Sequence, residues 1–273
     1  MRVFVAGGTG VLGRRLVPQL VARGHQVMAT TTSAAKLGLL EQLGAEGVVM
    51  DGLDAVSVGE VVATARPDAI VHQMTAISVA HAGKPDMKHM DQWFAGTNRL
   101  RTEGTDHLLA AAGATGVTNF IAQSYVAWNG IREGGWVKTE QDPVDPMTGT
   151  PAEPGMTAIG HVEDVVVRAG GAVLRYGWFY GPGATGDMVE PVRKRQFPWS
   201  GAAPATARGC IWTTRRPLPS WLWNGGRGAC STSSTTNRPR PTSGCPVWPR
   251  ARERSGRCGY PPGWPGRWPG RSR

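Results

Sequence analysis

The sequence predicts a doubly wound α/β domain over roughly its first 185 residues, and three observations predict it. Short apolar, β-branched runs recur along the chain, helical patterns of about 10–15 residues separate them, and a glycine cluster follows the first run. Such alternation implies βαβ units and a parallel sheet with helices on both faces.

The elements follow in order. Arg2–Ala6 (RVFVA) is a buried strand, and Val11–Arg23 a helix with Leu12, Leu16, Val17 and Leu20 at helical spacing, stopped by Gly24. Strand Gln26–Thr30, helix Ala34–Leu43, strand Gly47–Met50 and helix Val56–Thr64 come next. Strand Ala69–Gln73, helix Thr97–Ala112, strand Asn119–Ala122, helix Thr157–Ala169 and strand Ala172–Tyr176 complete the alternation.

The glycine cluster Gly7-Gly8-Thr9-Gly10-Val11-Leu12-Gly13 sits between the first strand and the first helix. Gly7 allows a tight turn off the strand, Gly10 lets backbone approach a pyrophosphate, and Gly13 lets the helix pack closely on the sheet. The helix start offers free N–H groups and about half a positive charge to phosphates. In a first βαβ unit this pattern marks a dinucleotide site.

Charge divides the 273 residues unevenly. The formal +10 combines 17 basic and 19 acidic groups in residues 1–200 with 13 arginines and the single acid Glu253 in residues 201–273. All four cysteines (Cys210, Cys230, Cys245, Cys258) also lie beyond 200, without a CxxC pair, so no metal site is expected. The first strand begins at once, which predicts no signal peptide, and no stretch of about 18 apolar residues predicts a membrane span. A cytoplasmic protein is expected.

The GxxGxxG spacing resembles that of the short-chain dehydrogenase/reductase superfamily, particularly its extended branch, the NAD-dependent epimerase/dehydratases. Further segments fit in order: Asp51-Gly52-Leu53-Asp54, His72-Gln73-Met74-Thr75, Asn98 ahead of Glu103–Ala111, and Leu174-Arg175-Tyr176-Gly177 running on to Tyr180-Gly181-Pro182-Gly183. The resemblance covers residues 1–198 and implies a Rossmann-type NAD(P)-binding domain. It also implies cofactor contacts from Gly7, Gly10, Val11, Leu12, Gly13, Thr32, Asp51, Leu53, Gln73, Met74, Thr75, Asn98 and Tyr176. An acid at the end of the second strand would favour NAD; Thr30-Thr31-Thr32-Ser33 and Lys36 stand there instead and favour NADP.

The family moves hydride and proton with a Ser/Thr and a YxxxK pair, whose lysine lowers the tyrosine pKa. Ser124 stands where the family places its serine, but no tyrosine is followed four residues later by lysine. Thr157 and His161 would occupy the two positions, leaving His161 and Tyr125 as candidate proton carriers beside Ser124. Two readings stay open. One is an epimerase/dehydratase-like oxidoreductase acting on a sugar nucleotide or related carbonyl or alcohol. The other is a non-catalytic NAD(P)-sensing module. The expected partners are a small-molecule substrate and, by resemblance, a second copy of the chain in a homodimer.

Residues 199–273 mix Trp, Arg, Pro, Ser and Gly without period and read as a disordered tail in place of a substrate domain. Pairing each codon's third base with the next two lets Cys210–Pro217 encode His-Leu-Asp-Asp-Ala-Ala-Ala. Gly228–Arg240 can likewise encode Gly-Val-Phe-Asn-Ile-Val-Asp-Asp-Glu-Pro-Ala-Pro. Both strings are similar to the family's C-terminal motifs, which points to a one-base frame change between about Phe197 and Pro204. On that reading the arginines predict no specific nucleic-acid partner.

Overall fold

The computed structural model describes residues 1–77, 79–83, 89–125, 144–177, 179, 193–194 and 212–213. These all fall in a unit spanning Met1–Ser231, and Thr232–Arg273, a second unit, holds none of them. The strands are β1 (Arg2–Ala6), β2 (Gln26–Thr31), β3 (Glu46–Val49), β4 (Ala69–His72), β5 (Asn119–Tyr125), β6 (Ala172–Tyr176) and β7 (Trp212–Thr213). The helices are α1 (Gly13–Ala22), α2 (Leu37–Gln42), α3 (Ala55–Ala65), α4 (Val79–Ala82), α5 (Met90–Arg101), α6 (Glu103–Thr115) and α7 (Glu153–Arg168).

The sheet order is β3-β2-β1-β4-β5-β6-β7, with the first six strands parallel and β7 antiparallel to β6. After β3 the chain returns through α3 to place β4 beside β1, so the order reverses there. A reversal of this kind opens a crevice beyond the carboxyl ends of the strands.

Strand alternation sends side chains to two cores. Phe4, Ile70, Phe120, Ala122 and Val173 pack with Val58 and Val62 of α3, Leu108 of α6, and Val162 and Val166 of α7. Val3, Val5, Val27, Ala29 and Val71 pack on the other face with Val17 and Leu20 of α1 and Leu40 of α2. Each such fully buried aliphatic or aromatic side chain contributes about 1.5–3 kcal/mol. Two caps bound the helices: Asp54 Oδ1 accepts from the N–H groups of Val56 and Ser57 to start α3, and Gly116 ends α6 in left-handed conformation.

Four features depart from the sequence reading. The single helix expected over Thr97–Ala112 is two helices joined at Thr102, whose hydroxyl donates to the carbonyls of Asn98 and Arg99 and competes with the helix ladder. Residues Ala34–Lys36 form a 3-10 turn before the shorter α2. His81 and its neighbours, outside every element read from the sequence, lie in α4. Trp212–Thr213, within the segment expected to lack structure, pairs with Leu174 and Arg175 of β6. The remainder of 199–273 lies outside the described residues, as do Trp178 and Tyr180–Gly183.

Candidate dinucleotide site

The candidate site occupies the crevice where β1, β4 and β5 end. Gly7 leaves β1 with φ +91°, and a Cβ there would stand 2.8 Å from the Gln73 carbonyl oxygen. A Cβ on Gly13 would stand 2.3 Å from the Gly8 carbonyl oxygen, so only glycine lets α1 begin against the turn. The loop is tied to β2 by Gly7 N–H donating to Thr30 Oγ1 at 2.9 Å and Gly8 N–H donating to the Thr30 carbonyl at 2.9 Å. Gly10 N–H closes onto the Gly7 carbonyl at 3.1 Å. Among the described residues, no acceptor meets the N–H groups of Val11, Leu12 and Gly13, and no side chain caps α1. Open donors at a helix start, in a cradle that a methyl group would fill, fit the pyrophosphate of a dinucleotide.

The adenosine side is built from β2 and the turn after β3. Asp51 Oδ1 accepts from Leu53 N–H at 2.9 Å, shaping a turn whose buried Gly52 lies under the Met74 thioether. Thr32 is exposed, with its Oγ1 3.5 Å from His81 Nε2, and half-buried Lys36 lies four residues further on. No carboxylate stands at the end of β2.

Beyond the loop, β4 places Gln73 and Met74 in the crevice, both buried, with Thr75 half-buried beside them. Neither amide atom of Gln73 makes a hydrogen bond of ordinary geometry, although the Tyr176 hydroxyl lies close enough to feel it. Burial pushes the Tyr176 phenol up to about 12. His72 is fully buried; its Nδ1 accepts from Met74 N–H and its Nε2 lies 3.1 Å from Thr105 Oγ1. Loss of water lowers its pKa to about 4, so it is a neutral structural imidazole.

The expected catalytic residues lie on different faces. Ser124 Oγ donates to Glu163 Oε1 at 2.7 Å, and Arg175 Nε donates to the same oxygen at 2.7 Å. Neighbouring Tyr125 projects to the opposite side of β5, and burial raises its pKa. His161 pairs with Asp106 of α6 at 2.8 Å on the exposed helix layer, so the structure does not bring it to Ser124. Asn98 likewise faces a cavity of about 790 Å³ between α5 and α7, with Thr102 and Thr157 among its lining residues. Sequence reasoning missed Glu163 and Arg101; Thr30 and Arg175 stood in quoted segments, but not with the bonds they make to Gly7 and, 12 residues back across a helix-to-strand connection, to Glu163.

Fold and site together define a Rossmann-type dinucleotide-binding protein. Residues 7–145, half of the sequence, match the NAD(P)H-binding family, and the chain belongs to it. It is similar to a 3-diazoavenalumate denitrifying reductase from Streptomyces sp., 42% identical over 188 residues, which are 67% of this chain and 58% of that protein. It is also similar to a 4-hydroxy-2-methyl-3-oxo-4-farnesyl-3,4-dihydroquinoline-1-oxide ketoreductase from Stigmatella aurantiaca, 25% identical over 73% of this chain and 57% of that protein. Among solved structures, the UDP-Glc/GlcNAc 4-epimerase from Campylobacter jejuni aligns over 62% of this chain and 48% of its own at 22% identity, with TM-score 0.48. The chain thus spans a little over half the length of these two curated relatives.

Proposed function

We propose that this protein is an NADPH-dependent reductase of a small-molecule substrate. The observation that carries the reading is the glycine cradle, with three open N–H groups at the start of α1 in the crevice of the sheet. Gly7, Gly10, Val11, Leu12 and Gly13 would hold the pyrophosphate, Asp51 and Leu53 the adenine side, and Thr32 and Lys36 a 2′-phosphate. Gln73, Met74, Thr75 and Tyr176 would line the nicotinamide side. Hydroxyls and a lysine at the end of β2, without a carboxylate, support NADPH over NADH.

A bound nicotinamide supplies a hydride. The chain's own contribution is to exclude water, orient the substrate and manage the proton. The relative at 42% identity is a denitrifying reductase of a diazo compound, and that chemistry suits this sequence. Replacing a carbon-bound diazonium group by hydride releases dinitrogen and leaves no alkoxide to protonate, so a YxxxK pair is not required. A carbonyl substrate would instead draw a proton from Tyr125, which burial keeps protonated at neutral pH. Ser124 has its proton on Glu163 and offers the crevice only lone pairs.

On this reading residues 1–198 form the cofactor-binding unit of a cytoplasmic, homodimeric enzyme, and 199–273 are an out-of-frame replacement for its substrate domain. Fluorescence titration of the full chain with NADPH and NADH is the first test, followed by turnover of aryl diazonium salts, carbonyl compounds and UDP-sugars. Saturable NADPH binding, tighter than NADH, is expected; no binding at millimolar cofactor overturns the reading. Binding without turnover of any substrate class would favour the sensing module.

A further inference from the structure

At the carboxyl edge of the sheet, Arg101 is a half-buried cation that no carboxylate pairs among the described residues. It ends α5 beside the joint at Thr102, where Leu100 packs over Gly52 and Thr105 meets His72, and so it stands above the ends of β4 and β5. Its guanidinium is half-buried, and its single hydrogen bond, from Nη1 to Asn98 Oδ1, is long at 3.5 Å. Its other donors meet no acceptor among the described residues, and no carboxylate pairs with it. Arginine in such a place is ordinarily matched by an acid, because a partly dehydrated cation without one is costly.

Among the described residues, the groups around it do not supply negative charge. The one ionisable neighbour that acts appreciably on its charge is Tyr125, a phenol that burial keeps neutral. His72, also within its field, is neutral with its pKa lowered to about 4. Loss of water lowers Arg101 only to about 10, so it stays charged at neutral pH. Among the described residues, Arg101 therefore brings a positive charge to the end of β4, where His72 feels it.

We propose that Arg101 is the seat for a carboxylate on the substrate, so that the enzyme takes anionic rather than neutral molecules. The proposal rests on the reductase reading above and names the class of its substrate. A guanidinium fork offers paired donors in the geometry of a carboxylate, which an ammonium does not. With no carboxylate beside it among the described residues, Arg101 would take the ligand as its counter-ion, and a neutral analogue would leave the cation uncompensated.

The test uses isothermal titration of trans-cinnamate and cinnamamide into the NADPH-saturated full chain. Cinnamate is expected to bind at least tenfold tighter than the amide, Arg101→Gln to abolish that preference, and Arg101→Lys to retain part of it, with melting temperatures confirming that each variant folds. Equal binding of the two probes, binding of neither, or a preference unchanged in Arg101→Gln overturns the proposal. Loss of NADPH affinity in Arg101→Gln without a cinnamate preference would assign the cation to cofactor phosphate and overturns it too. NADPH binding is read separately: if the wild type fails to bind NADPH, the reductase reading falls, while a cinnamate preference lost in Arg101→Gln would still uphold the carboxylate seat.

Discussion

Ser124 donates its only proton to Glu163, and the same carboxylate is held from the other side by two nitrogens of Arg175. The three residues join β5, α7 and β6 in one polar contact, with Arg175 and Glu163 side chains only 10% and 17% exposed. Glu163→Ala should therefore strand a nearly buried guanidinium and cost about 3–5 kcal/mol in urea denaturation. Ser124→Ala removes one charge-assisted hydrogen bond and should cost about 1.5–3 kcal/mol. If both variants unfold within about 0.5 kcal/mol of wild type, the contact is not structural.

Two glycine substitutions should act in opposite directions. Gly13→Ala drives a methyl group into the Gly8 carbonyl and should weaken NADPH binding at least tenfold, read by fluorescence titration. Gly59→Ala lies mid-way along α3 with open space around its Cβ, and should raise stability by about 0.5–1 kcal/mol. Unchanged NADPH affinity in Gly13→Ala would remove the loop from the cofactor site.

Arg66 ends α3 at φ +42°, a left-handed conformation that a side chain resists. Arg66→Gly should relieve it and gain about 0.5–1 kcal/mol, despite glycine's greater freedom in the unfolded chain. Thermal melts of the two proteins decide the sign.

The folded pKa of His72, about 4, lies below its ordinary value of 6.5. Between those values the unfolded chain binds more protons than the folded one. The contribution is therefore present in full above pH 6.5 and is lost as pH falls from 6.5 to 4. The gap corresponds to about 3 kcal/mol. Melting temperature should drop across that window, and His72→Asn should flatten the part of the slope that this imidazole causes. An identical slope in the variant would mean that other groups carry the acid sensitivity.

Much of this architecture was legible in the sequence because period and punctuation agreed. Apolar runs such as RVFVA and AVLRY, separated by helical patterns, pointed to all six parallel strands, and the Gly7–Gly13 spacing located the cradle. What escaped depends on contacts between distant residues. The break at Thr102 turns on one hydroxyl turning back to the carbonyls behind it, and nothing in the spacing of apolar residues signals that. Arg101 reads locally as one more helix-end arginine, and its isolation shows only when the ends of β4 and β5 stand beneath it. His161 was read from a motif position; the roll of α7 instead sends Glu163 to the sheet and His161 toward Asp106.

The joint at Thr102 separates two jobs that one continuous helix would have fused. The helix after it is bolted to the interior through Thr105, Leu108, Ala111 and Ala112. The helix before it carries Arg101, the proposed carboxylate seat. Substitutions at exposed α5 positions such as Gln92 and Ala95 thus spare the core, whereas Thr97 and Leu100 tie the helix to it. A lineage could retune which molecules enter while the scaffold that grips the nucleotide stays as it is.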